Sequence, residues 1–537
     1  MKSFLCWCAL SVFLLPVLSS AGPNEAPAGF IRVTDLRADL TFLASDELEG
    51  RMSLERGSDV AIQFIVAEFA KAGLKPAAGD SFIQPVPLVK YLPDARGTRL
   101  TLRHGSANHK YELFKDFLGF FPNNIYVRAP VLFAGFGITA PEFNYDDYAG
   151  IDAKEKVVLI FDHEPQETDP NSIFNGRGNT RYANLRWKVL NAQKHGAVGV
   201  LVASEPNRRH PSNLERLARI PGIVDRMTHV PSQALIDSEI KIPAFTISDA
   251  VAESMFTAAG KKGSELQATI DATLKPASMP VPLQAEMRVV NVERKTGTSA
   301  NVIGVLEGGD ATVKNETIVF SAHYDHDGMR NGQIFHGADD NASGSAGVME
   351  LARAFVRSGQ RPKRSLLFAV FAAEERGLLG SYYYVDHPLR PLNTTRAVIN
   401  FDMIGRNETR SAQTEGLIQI NPDTSNELNL IGTVNSPQYR SVVEQQNQQV
   451  GLNLNYKWDD DAALNIFQRS DQFPFALHDI PAVWWFTGFH PDYHQPSDTA
   501  EKINFGKMEK ILRLAYLSGR AMADSSEPPR FVASPGK

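Results

Sequence analysis

The sequence predicts an α/β fold: a mixed, mostly parallel sheet flanked by helices, with a smaller β-rich α/β module inserted ahead of most of it. Three observations predict this. Residues 317–322 form an apolar run that ends in His323-Tyr324-Asp325; a helical pattern with Val348, Leu351, Ala352 and Phe355 on one face follows; a second apolar run, 366–373, ends in Glu374-Glu375. Two strand-like runs separated by a helix read as a βαβ unit of a parallel sheet. Between about 126 and 280 the pattern changes to short, glycine-punctuated apolar runs. The length, 537 residues, is too great for one ordinary core.

Taken in order, residues 1–21 read as an export signal peptide. Lys2 supplies the positive start, 5–18 the apolar middle, and Ser19-Ser20-Ala21 the small residues before a cut. The apolar run is shorter than a usual membrane span. Both cysteines, Cys6 and Cys8, lie inside it. The mature chain is therefore expected to hold no disulfide and no lipid anchor through cysteine, and to be secreted or periplasmic. Residues 30–125 are expected to form the N-terminal part of the main domain, 126–280 the inserted module, 281–525 the main part, and 526–537 a flexible tail.

Within these bounds, 35–73 read as helices. Leu36, Leu40 and Leu43 form one periodic face, Val60, Phe64, Ala67 and Phe69 suggest another, and Gly73 is a C-terminal stop. They have no sheet of their own, so they are expected to pack on the later one. The prolines in 82–88 point to an edge strand or an extended arm. In the module, 131–138, 157–160, 198–203 and 242–247 read as short strands and 184–195 as a helix, with proline-rich 276–282 as the exit linker. His163, His195 and His210 there read as surface or packing residues. Beyond it, 301–306, 397–401 and 482–486 are further strands, and 507–522 is the last helix.

Hydrophobic content of 43% and charged content of 22% suit a soluble globular protein. A net charge of −6 offers nothing to a nucleic acid. Past the signal no stretch is long and apolar enough to span a bilayer.

Four apolar runs end in potential metal ligands: His323, the Glu374-Glu375 pair, Asp402, and the segment holding His490 and His494. Asp340 lies in the loop after the first. Strand ends on one edge of a parallel sheet converge in space. The nitrogen and oxygen donors suit zinc and could also take cobalt or manganese, and no thiolate is available. Two metals about 3.5–4 Å apart need a bridging carboxylate and about two further ligands each. Asp340 is the natural bridge. One glutamate of the pair can bind metal while the other moves a proton between a metal-held water and a leaving amine.

These residues carry a resemblance. His323-Tyr324-Asp325, residues 337–344, Ala373-Glu374-Glu375, residues 400–405 and Tyr493-His494 resemble the ordered motifs of the M28 family of zinc peptidases, mostly aminopeptidases. The resemblance implies the zinc-exopeptidase fold and two Zn²⁺ per chain. His323 and Asp402 would hold one, Glu375 and His494 the other, with Asp340 bridging. Glu374 would be the general base, Asp325 would orient His323, and Tyr493 would stabilise the oxyanion. Asp339, Asp471, His326, His336 and His490 lie near these motifs without an assigned ligand role. Gly150-Ile151-Asp152, residues 156–160 and 195–200 resemble a protease-associated (PA) domain, which would shape access to the site. The implied activity is exopeptidase cleavage of N-terminal residues from peptides with a free N-terminus, through a metal-bridging water. A carboxypeptidase gripping a terminal carboxylate through Arg406 or Arg469, a glutaminyl-cyclase-like enzyme, and a non-catalytic peptide-binding or receptor-like protein are the alternatives.

Overall fold

In the computed structural model, which describes residues 30–532 apart from 175, 177–179, 220–221 and 462–463, four strands run side by side and parallel. Their order is Ser365–Phe371, Thr317–His323, Thr395–Phe401 and Ala482–Phe486. The expected signal peptide and both cysteines lie outside the described residues. All four strands are almost wholly buried, which is why they read as continuous apolar runs rather than alternating ones. On Thr317–His323, Ile318, Phe320 and Ala322 join one core and Val319 the opposite one. That is the two-residue period of a strand covered on both faces.

The sheet has ten strands, parallel at its centre and antiparallel on either side. Asn291–Leu306 pairs antiparallel with Ser365–Phe371, and Glu427–Ile431 antiparallel with Ala482–Phe486. The crossover helix Gly344–Arg357 packs on one face together with Val33–Leu43, Arg56–Ala72 and Phe505–Asp524. The N-terminal helices thus cover the later sheet, as their lack of a partner implied. Arg353 on the crossover helix ties them down, bonding Asp39 and, at 2.9 Å, Glu68. Leu36, Leu40 and Leu43 are buried as the periodicity predicts. The second helix instead buries Ala61, Ile62, Ile65 and Phe69, leaving Val60 and Phe64 half-buried and Ala67 exposed. Its apolar residues run nearly all round, and the sheet rather than the pattern chose the face. Gly73 ends it with φ +82.

A second, eight-stranded sheet carries the inserted module. It is wider than 126–280. The hairpin Arg99–His104 and Ala107–Glu112 joins it on one side, and the proline-rich exit continues directly into Met279–Val289, which pairs antiparallel with Ile125–Phe133. Prolines 280 and 282 flank a register shift there, where a strand tolerates them. In the other proline-bearing strand, Ile83–Pro93, residues 83–87 have, among the described residues, a ladder partner on one side only, as an edge would. A short strand from the module, Ser232–Leu235, adds to it at residues 88–91, just past prolines 85 and 87. The described part of the tail packs on the fold, with the Val532 amide donating to Asn435 O at 2.7 Å. No helix among the described residues is long and apolar enough to cross a membrane.

Candidate metal centre

The parallel register brings the carboxyl ends of the four central strands together. His323 is the last residue of its strand and faces Phe371, three residues before Glu374. Asp402 follows Phe401 directly. Asp340 arrives from the loop before the crossover helix, and several groups hold that loop. Both Asp339 and Asp340 amides donate to Asp498 Oδ2, at 3.0 and 3.1 Å. The wholly buried Arg51 guanidinium donates to the carbonyls of Tyr324, His336 and Gly337 at 2.6–2.9 Å. Gly337 has φ +56, and a side chain there would collide with Asp340 O and the His326 ring. His490 bonds Asp339 at 3.1 Å, while Asp339 accepts from the Gly405 amide at 2.6 Å. These two therefore serve the scaffold of the loop. His336, bonded to Asp46 at 2.8 Å, lies outside the cluster.

Asp340 sits between two groups of side chains that could hold a metal. Its Oδ1 is 3.5 Å from His323 Nε2, which is 3.4 Å from Asp402 Oδ1. Its Oδ2 is 3.0 Å from His494 Nε2, which is 3.3 Å from Glu375 Oε2. The two sides use opposite oxygens of one carboxylate. His323 Nε2 is buried and without a hydrogen-bond partner, although three carboxylates lie within 4 Å of it. An orphaned nitrogen facing carboxylate oxygens is a donor set that fits a divalent cation.

The electrostatics agree. Burial would lower the His323 and His494 pKa values, but Glu374 and Asp402 around the first, and Glu375 and Asp327 around the second, override it. His323 is held well above its usual range and His494 is pushed up to about 10. Burial likewise opposes ionisation of Asp340, yet the His494 hydrogen bond and the neighbouring imidazoles keep it well below the usual carboxylate range. Glu374 is pushed well above that range by burial, only partly offset by His323. It lies 3.8 Å from His323 Nε2. Several buried carboxyls share the pocket, and burial raises Glu374, Asp402 and Asp471 together, so the site favours positive charge.

Asp325 is placed differently from expectation. The ring Nδ1 of His323 meets the Asp325 backbone carbonyl at 3.1 Å, while the carboxylate is 3.8 Å away and accepts instead from the Glu374 amide at 3.0 Å. It therefore orients the glutamate turn as well as the histidine. Tyr493 is close to the centre and bonded through its hydroxyl to Arg469 at 3.3 Å. Asp471 bonds Ser381 at 2.5 Å, and burial pushes it up to about 7.

Three further residues stand at the centre: His326, which the sequence left without a role, and Asp327 and Arg226, which it did not single out. His326 Nδ1 lies 2.7 Å from Glu375 Oε1. Asp327 Oδ2 lies 3.2 Å from His494 Nδ1, the side of that ring away from Asp340. Both follow directly on the His323 motif, and that continuity was the available signal. The third, Arg226, had none. It belongs to the module helix Ile223–His229, pairs with Asp327, and stands 3.0 Å from His494 Nδ1.

Above the centre is a cavity of about 290 Å³ bounded by Glu374, Asp402, Trp484, Tyr493, Arg226 and Arg469. It adjoins a larger one of about 840 Å³ between the two domains, with Glu375, Arg226 and Arg469 on the shared wall. Of the tryptophan pair, Trp485 is core and Trp484 faces the cleft while donating to Asp402 O at 2.9 Å. Arg406 is turned away, held by Asp492 at 2.9 Å.

Residues 301–517 match the peptidase family M28, and residues 127–255 match the PA domain. Among curated proteins, leucine aminopeptidase 2 of Trichophyton equinum is 29% identical over 254 residues, covering 42% of this chain and 44% of the relative. The leupeptin-inactivating enzyme 1 of Streptomyces exfoliatus is 39% identical over 109 residues, 20% of this chain and 23% of the relative. The chain thus spans less than half the length of these relatives. Among solved structures, an aminopeptidase from Aneurinibacillus sp. strain AM-1 covers 94% of this chain and 97% of its own, with a TM-score of 0.49 and 20% identity.

Proposed function

For a chain that belongs to peptidase family M28 through residues 301–517 and carries a PA domain, we propose the activity of an exported zinc aminopeptidase that removes N-terminal residues from peptides. The observation that carries this reading is the position of Asp340, with one oxygen toward His323 and the other toward His494 at 3.5 and 3.0 Å. In the proposed assignment Asp340 bridges, His323 and Asp402 complete one zinc site, and Glu375 and His494 complete the other. Zinc held there supplies Lewis acidity toward the scissile carbonyl and acidifies the attacking water.

The chain's own groups do the rest. Glu374, beside His323 and without a basic partner of its own, takes a proton from the water and returns it to the leaving amine. Tyr493 donates toward the oxygen on which negative charge develops. Asp325 fixes the backbone from which Glu374 projects. The carboxylates around Asp340 attract the ammonium of a free N-terminus. Export rests on the N-terminal segment 1–21, and N-terminal sequencing of the protein recovered from outside the cytoplasm should begin near residue 22.

A carboxypeptidase is the second reading, because Arg226 and Arg469 line the cleft as cations able to face a terminal carboxylate. Chromogenic aminoacyl substrates, N-acetylated peptides and C-terminally amidated peptides decide between them. An aminopeptidase cuts the first and third, loses activity to a chelator, and regains it with zinc. Cleavage of N-acetylated peptides from the carboxyl end would overturn the assignment.

A further inference from the structure

The PA module holds a second buried cluster of ligand-type side chains, remote in sequence from the catalytic motifs: His163, Glu167, Glu205 and His210. The sheet register explains two of them. Val157–Phe161 and Gly199–Ala203 are adjacent and parallel, with Phe161 opposite Ala203. His163 and Glu205 each lie two residues past those matched ends, so they emerge side by side. The loop after the first strand returns Glu167, and the loop after the second returns His210. The sequence reading treated both histidines as surface or packing residues. His195 does pack, stacked on Tyr148 at 4.1 Å. The other two share a buried site.

The geometry of that site is unlike an ordinary hydrogen-bond network. His163 Nδ1 lies 2.6 Å from Glu167 Oε1, 3.0 Å from Glu205 Oε1 and 3.1 Å from His210 Nε2. His210 Nε2 is also 2.9 Å from Glu167 Oε2. One ring nitrogen, with at most one proton, confronts two carboxylate oxygens and a second imidazole nitrogen. Despite those distances, Glu167 Oε1 and Glu205 Oε1 have no hydrogen-bond partner. The four side chains are 2%, 9%, 3% and 6% exposed. Buried, unpartnered carboxylate oxygens this close together are costly without a positive charge between them. His210 Nδ1 meets the Pro211 carbonyl at 2.9 Å. A histidine that donates one nitrogen to a backbone carbonyl turns the lone pair of the other inward, as metal-ligating histidines do.

We propose that these four residues form a divalent metal site in the PA domain, separate from the catalytic centre. Two nitrogens and two carboxylate oxygens in a closed four-ligand set suit zinc, with cobalt as a substitute. Calcium and magnesium prefer all-oxygen shells. Tetrahedral bonds of about 2.0 Å set ligand atoms about 3.3 Å apart, so the separations of 2.6–3.1 Å would open by about 0.2–0.7 Å around an ion. The charges balance, two carboxylates against one dication with both imidazoles neutral. Such an ion would pin the two strand-end loops to each other. The second of these leads into Asn213–Ala218 and then Ile223–His229, the helix that brings Arg226 to the catalytic cleft.

The test separates this site from the catalytic one. In full-length protein carrying His323→Ala and His494→Ala, dialysed and reloaded with zinc, elemental analysis should find one zinc per chain. Adding His163→Gln and Glu205→Gln should reduce it to under a tenth. Cobalt loading of the first protein should give the visible absorption of a four-coordinate N/O site, absent from the second. Glu167→Gln alone, with circular dichroism to check folding, should weaken zinc binding at least tenfold. A catalytic-site variant that retains no zinc, or equal zinc content with and without the PA substitutions, would overturn the proposal and leave the cluster a proton-sharing network.

Discussion

Asp340 faces His323 with one carboxylate oxygen and His494 with the other, and the roles of its neighbours follow from that. Burial holds Glu374 well above the usual carboxylate range, only partly offset by His323 at 3.8 Å. Replacing Glu374 with Gln keeps the size and removes the proton carrier. We expect kcat to fall by about 10²–10⁴-fold, with zinc content unchanged by elemental analysis; retained turnover would exclude Glu374 as the base. Asp327 stands behind His494, where it fixes the ring tautomer that leaves Nε2 free for a cation. Asp327→Asn should weaken zinc binding about 10–100-fold, read by competition with a chelator, while a fully occupied enzyme keeps most of its turnover.

At the scale of elements, the last helix, Phe505–Asp524, carries a buried lysine that no catalytic role explains. Lys507 Nζ donates to Arg406 O at 3.0 Å and Thr424 O at 2.8 Å, which fastens the helix beneath the segment after Asp402. Burial is the main cause of its depressed pKa, about 8, against attraction from Asp339 and Glu427. A lysine depressed in the folded state binds fewer protons folded than unfolded between pH 8 and its ordinary value near 10.5. The charge is therefore a penalty fully present below pH 8 that vanishes as pH rises through that window. The unfolding free energy of the parent should rise relative to a Lys507→Met variant between pH 8 and 10.5, by on the order of 3 kcal/mol. Chemical denaturation across that range measures it, and a flat difference would contradict the assignment.

Across the whole molecule, the module is built into the peptidase rather than hung from it. Ser232–Leu235 completes the large sheet at residues 88–91, and Arg226 crosses from the module to Asp327 and His494. A hydrogen bond to a charged group contributes about 1.5–3 kcal/mol. Arg226→Ala should lower kcat/KM by roughly 10–100-fold and, because it strips the buried Asp327 carboxylate of that cation, should also lower the melting temperature. If kcat/KM is unaffected, the module does not act on the site through this residue.

Much of this was legible in the chain. Continuous apolar runs marked the four central strands because a sheet covered on both faces leaves no alternation, and a residue with a metal-binding side chain lies at or within four residues of the end of each. The buried face of Arg56–Ala72 and the addition of Ser232–Leu235 beside residues 88–91 were not legible, since each depends on which distant element packs alongside. By itself the sequence determined which side chains of metal-binding type lie near strand ends, because hydrophobic period and side-chain chemistry are local. Tertiary structure alone decided that Asp327 and Arg226 stand behind His494, and that His163 and Glu205 emerge as neighbours. Those meetings depend on strand register and domain packing, which no local pattern encodes.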